Sequence, residues 1–206
     1  MDSHEVHSAY LCFLFLSGYP KEAIMKGLII FSHQMEDVEA LATRALLKRA
    51  GLQIDTVTFE ETLEIQTAFG LTVHAEHFAK DIVMEDYGFL VIPGGPYVAE
   101  RIEAGDDTLE KLSVSFAKEK KLVAAICAAP RFLGRAKLLD RKGYTAFPGS
   151  EIDIPKGYYH PDMKTYKDGL IITSRGAGTV YTFAFEIVRT LKGESVAKKL
   201  FAAIQH

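Results

Sequence analysis

Apolar residues fall in short runs along most of the chain, and amphipathic stretches separate the runs. Gly27–Ser32 (GLIIFS), Gly88–Ile92 (GFLVI), Leu122–Ile126 (LVAAI) and Leu170–Thr173 (LIIT) are continuous enough to be strands buried on both faces. Leu52–Phe59 alternates as a strand should. Glu64–Thr67 and Leu71–His74 flank Gly70 and predict a hairpin. Helical spacing predicts a helix over Glu36–Ala50, with Val38, Leu41, Ala42, Ala45 and Leu46 apolar and Gly51 as its stop. A second helix is expected over Asp107–Glu119, with Leu109, Leu112, Val114 and Phe116, and another directly after Cys127. Thr179–Leu191 and Ser195–Ile204 complete the set. Short apolar strands alternating with amphipathic helices mean βαβ units and a mostly parallel sheet covered on both faces. The expected fold is therefore α/β, a flavodoxin-like three-layer sandwich.

The first 24 residues break this pattern. Tyr10–Leu16 (YLCFLFL) is apolar but far too short to span a bilayer, and MDSHEVHS lacks the basic residues of a secretory signal. Residues 1–24 are read as an extension, arising from an upstream start codon or packing as an added helix or strand on the body or on a partner. Residues 25–206 are read as one domain, since no repeat, low-complexity tract or linker divides them.

Composition narrows the function. The chain has 206 residues, 48% of them hydrophobic and 25% charged, enough for one well-filled core. A net charge of -3 argues against an electrostatic nucleic-acid binder. Two cysteines, Cys12 and Cys127, make no disulfide framework and fit a reducing, cytoplasmic setting. His74 and His77 stand three apart with no cysteine near them, so neither a metal nor a cofactor is expected.

The chemistry concentrates at Cys127. The strand-like run stops there, Ala125 and Ala129 flank it, and a helix follows, which is the pattern of a nucleophile elbow. A thiol at a helix amino end is biased toward thiolate. The alternative is a buried, inert cysteine. Glu36, Asp37 and Glu39 cluster at the start of the first helix. Glu36 and Asp37 suit the helix dipole, whereas Glu39, one residue further in, could turn toward the strand ends. Gly94-Gly95 reads either as a strand-to-loop turn or as an oxyanion hole. Arg175–Gly178 resembles a phosphate loop but has Tyr181 where a third glycine would stand, so a tight turn capped by Thr179 suffices.

Taken together, GLIIFSHQMEDVEA, FLVIPGG, LVAAICAAP and DGLIITSRGAGT resemble the DJ/ThiJ/PfpI superfamily, in its parkinsonism-associated deglycase branch and bacterial relatives. The resemblance runs from Met25 to about Ala202. It implies a homodimer with Cys127 as the nucleophile and oxidation-sensitive thiol, and Glu39 as the buried acid hydrogen-bonded to it. It implies backbone N–H groups of Gly95 and Ala128 as oxyanion-hole donors. The implied activity is a glyoxalase III-like conversion of methylglyoxal to lactate, or deglycation of protein, without glutathione. The alternative use of the same cysteine is a non-enzymatic oxidative-stress sensor or chaperone. Peptidase or amidotransferase chemistry ranks below both, because Phe147 occupies the place where some relatives carry a histidine. His33 and His160 belong to no family motif and read as loop or surface residues.

Overall fold

The computed structural model describes residues 26–205, so the expected extension over residues 1–24 and Cys12 lie outside the described residues. Strand β1 (Lys26–Ile30) is buried throughout beyond Lys26. A π-helical turn, Val38–Ala42, leads into α1 (Thr43–Arg49). Then come β2 (Gln53–Thr58), the hairpin β3 (Glu64–Gln66) and β4 (Thr72–His74), β5 (His77–Phe78) and β6 (Tyr87–Ile92). Helices α2 (Tyr97–Glu103) and α3 (Thr108–Lys118) precede β7 (Leu122–Ile126) and α4 (Pro130–Arg135). A small pair, β8 (Gly143–Tyr144) and β9 (Tyr158–Tyr159), is followed by β10 (Thr165–Asp168), β11 (Ile171–Ser174), α5 (Val180–Lys192) and α6 (Glu194–Ala203).

The main sheet runs β10-β11-β7-β6-β1-β2-β5. Every neighbour pair in it is parallel except β10 with β11. Helix α1 packs on α5, and α5 on α6, while α3 packs on α4, β6 and β7. The sheet is thus sandwiched between helices, the flavodoxin-like α/β arrangement. Burial on both faces explains why β1, β6 and β7 read as unbroken apolar runs. Gly27 is fixed by the cross-strand pair it makes, because a side chain there would drive into the Phe89 ring.

The strand order reverses at β1: the chain adds β2 on one side, then returns to place β6 on the other. Ligands of open α/β sheets bind outside the carboxyl ends of the strands at such a reversal. The loops after β1, β6 and β7 meet there.

Several expectations need adjusting. The buried stripe of the first helix is Glu39, Ala40, Thr43, Leu46 and Leu47, while Val38 and Ala45 face solvent. Two members of that stripe are polar, so apolar spacing alone selects its neighbour. Helix α2 is unanticipated; it begins at Tyr97, whose hydroxyl donates to the Pro93 carbonyl at 2.6 Å in the buried interior. Strand β10 is also unanticipated, although Asp168-Gly169, with Gly169 at φ 62°, is a hairpin-turn dipeptide.

Candidate active site

Cys127 lies one residue past β7, with φ at 63°, a left-handed conformation that costs a non-glycine residue about 1–3 kcal/mol. Its neighbours hold it there. The Cys127 N–H donates to the Ser174 carbonyl at 2.9 Å, at the end of β11. The Cys127 carbonyl accepts the Phe147 N–H at 2.8 Å. The elbow is therefore clamped from two distant segments, and its thiol is half-buried rather than sealed in the core.

Glu39 reaches the same point from the other side. It sits on the π turn after β1 and is only 1% exposed. Such turns widen a helix locally and are frequent at functional sites. Its N–H donates to Glu36 Oε2 at 2.7 Å, which pins the turn. Its Oε2 accepts the Gly94 N–H at 2.9 Å. Its Oε1 is buried and closes no hydrogen bond, although the Cys127 thiol and the Ala177 N–H both bear on the carboxyl's charge. Gly94 is required by this packing, since a Cβ there would lie 2.6 Å from Cys127 Cβ and 2.7 Å from Glu39 Oε2.

The electrostatics follow from burial. Desolvation pushes the Glu39 carboxyl up to about 7, against the nearby Cys127 thiol and the Gly94 N–H, which favour the anion. Burial pushes the Cys127 thiol up as well, and the Glu39 charge adds to this. The Ala128 N–H opposes both. The expected bias toward thiolate is thus overturned in the resting pair: α4 is a single short turn-and-a-half starting at Pro130, and the adjacent acid outweighs it. Carboxyl and thiol are best described as a coupled pair.

The remaining sequence candidates separate. Gly95 has φ at 128°, and a side chain there would collide with the Gln34 carbonyl. Among the described residues its N–H has no protein acceptor, whereas the Gly94 N–H is engaged by Glu39. Asp37 does not serve the helix end; it accepts the Thr67 hydroxyl at 2.7 Å and the Phe69 N–H at 3.1 Å, tying the hairpin to the first helix. His33 Nδ1 accepts the Gln66 N–H, and His160 stacks on Tyr166 at 4.4 Å; neither bears on the thiol. Arg175–Gly178 forms a tight turn: Gly176 N–H donates to Thr179 Oγ1 at 3.1 Å, and Thr179 precedes α5 without a side-chain bond to it. Gly94, read above with Gly95 as a turn or an oxyanion hole, instead holds Glu39; Ala177 lies in the loop read as a turn, and Ser174 is the one residue here that was not singled out. A position at a strand end was its only signal.

This geometry has counterparts. The sequence model of the DJ-1/PfpI family matches residues 25–190. A deglycase of Pyrococcus abyssi is 31% identical over 169 residues, covering 82% of this chain and all of its own. The glutathione-independent glyoxalase DJR-1.2 of Caenorhabditis elegans is 27% identical, covering 80% of this chain and 87% of its own. Among solved structures, oxidized Toxoplasma gondii DJ-1 superposes with a TM-score of 0.78 at 25% identity, over 88% of this chain and 98% of that one.

Proposed function

The chain belongs to the DJ-1/PfpI family, and on that premise we propose that it is a cysteine-dependent enzyme acting on reactive carbonyls. The observation that carries this reading is the buried Glu39 carboxyl, one oxygen held by Gly94 and the other turned toward Cys127 without a hydrogen bond of its own. A deglycase and a glutathione-independent glyoxalase among its relatives support the same class. Residues 25–206 form the family domain in this reading, with residues 1–24 an extension.

The proposed steps use this pair. Sulfur adds to the aldehyde carbon of methylglyoxal while Glu39 accepts the thiol proton, giving a hemithioacetal. A thiol whose proton passes directly to an adjacent base needs no preformed thiolate. The new alkoxide lies against the N–H groups of Gly95 and Ala128. Glu39 returns the thiol proton to the alkoxide, and the restored carboxylate then removes the hydrogen of the former aldehyde carbon and delivers it to the adjacent carbon, through an enediol. Water hydrolyses the resulting thioester to lactate and frees Cys127. The carbonyl pair is thus oxidised at one carbon and reduced at the next, with no external oxidant. Deglycation is the same addition to an early glycation adduct. Lactate should accumulate from methylglyoxal with the purified protein in glutathione-free buffer, assayed by lactate dehydrogenase. Rates equal to the buffer blank would end the enzyme reading.

Among the described residues no imidazole bears on Cys127 to protonate a leaving nitrogen, as peptidase or amidotransferase chemistry needs.

A homodimer belongs to the same proposal. Phe69 is 76% exposed at the hairpin tip, beside Leu71 and, through Asp37, the exposed Val38. Apolar side chains grouped in this way favour a partner surface. Sedimentation equilibrium should return twice the 22.8 kDa chain mass, and Phe69→Asp should return the monomer. A monomeric wild type would refute the dimer. No helix among the described residues is long and apolar enough to cross a membrane.

A further inference from the structure

An open cleft of about 520 Å³ adjoins the Cys127–Glu39 pair, and the reaction proposed above gives it no role. Its walls include Phe147, Tyr159, Lys164 and Arg175, and its floor is the Gly176–Thr179 turn. The cleft lies beside the reacting atoms, with Gly176 between them. A Cβ placed on Gly176 would stand 3.9 Å from both the Cys127 sulfur and Glu39 Oε1, and 3.7 Å from the Phe147 ring. Gly176 therefore separates the cleft from the pair without a side chain to block passage.

The charge of this cleft is one-sided. Lys164 makes no ion pair among the described residues, and neither does Arg175. Arg175 donates through Nη1 to the Pro161 carbonyl at 3.0 Å, which holds its guanidinium in place. The carboxylate that bears on Tyr159 is Glu151, and it accepts the Gly149 N–H at 2.8 Å. No Asp or Glu lines the cleft itself. Most other arginines of the fold are paired: Arg44, Arg101, Arg131, Arg135 and Arg189 all face carboxylates. An unpaired arginine and lysine beside apolar walls favour a ligand whose chain is apolar and whose end is anionic.

We propose that this cleft is a substrate subsite, and that the protein prefers 2-oxoaldehydes carrying an anionic group, carboxylate or phosphate, over methylglyoxal. Lys164 and Arg175 bind that group, while Phe147 and Tyr159 cover the carbons between it and the reactive carbonyl. The inference rests on the carbonyl chemistry proposed above and adds the substrate class. For 4,5-dioxopentanoate the reaction adds one water and yields 2-hydroxyglutarate, the aldehyde carbon oxidised and the ketone carbon reduced.

The test compares kcat/KM for 4,5-dioxopentanoate, its neutral methyl ester and 3-phosphonooxy-2-oxopropanal. The carboxylate or the phosphate compound should exceed the ester about tenfold or more, and whichever does so identifies the anion. Lys164→Gln combined with Arg175→Gln should bring kcat/KM for the anionic compounds down to that of the ester. Lys164→Gln alone, at an exposed position, covers the case in which losing the Arg175 bond to Pro161 impairs folding, and should lower the preference by itself. Equal kcat/KM for the ester and both anions would overturn the subsite while leaving the carbonyl chemistry intact. A second reading does not depend on turnover. 2-Hydroxyglutarate should slow iodoacetamide labelling of Cys127, read by peptide mass spectrometry, at concentrations where lactate does not. Equal protection by the two acids would also overturn the subsite, whether or not any aldehyde is turned over.

Discussion

Cys127→Ser is expected to lower lactate formation from methylglyoxal by about 10³-fold or more while the protein stays folded. The proposed reaction passes through a thioester, and a serine hydroxyl is a far weaker nucleophile toward the aldehyde. Folding should survive, because the elbow is held by backbone bonds to Ser174 and Phe147 that do not involve the sulfur. The checks are the lactate assay and a thermal melt of both proteins. A serine variant that keeps a tenth of the activity would remove the nucleophile from the mechanism.

Glu39→Gln should cost about 10²–10⁴-fold in kcat, the usual contribution of a positioned acid–base group. The glutamine can keep the Gly94 N–H bond, so the loss reports the missing proton transfer rather than a displaced loop. Two pH measurements separate that from a structural effect. In the wild type kcat/KM should climb as pH rises through about 7, where the carboxyl ionises, and in the variant this limb should vanish. Stability should change in the opposite sense. The folded protein holds the Glu39 proton up to about 7, whereas the unfolded chain releases it near 4.5. Unfolding therefore releases a proton between those values, and stability falls as pH rises across that window. The full effect is about 3 kcal/mol at most, complete above pH 7. Urea melts at pH 5 and pH 8 should show this fall in the wild type and a flatter response in Glu39→Gln. A variant with the same slope as the wild type would mean that the carboxyl is already ionised at pH 5.

Much of the fold was legible because a parallel sheet buried on both faces writes itself as continuous apolar runs. β1, β6, β7 and β11 each announced themselves in that way. β5, β8 and β9 did not, because two-residue strands carry no periodicity. Cys127 was legible for a different reason: the change from strand to helix pattern at a cysteine between small residues is a local signal. The direction of Glu39 was only half legible. Its position in the acidic cluster was plain, but the burial of its carboxyl depends on Gly94, far along the chain. The protonation of the pair was the least readable, since it depends on how deeply two remote segments exclude water together.

The π turn that carries Glu39 has a consequence for how this chain can vary. In an α-helix each residue advances about 100° around the axis. Deleting one residue between Glu36 and Ala42 would let the wide turn relax to ordinary helix, and the carboxyl would swing away from the sulfur with every strand still in place. The segment can exchange side chains more freely than it can change length. An insertion or deletion there would leave a folded protein without its acid.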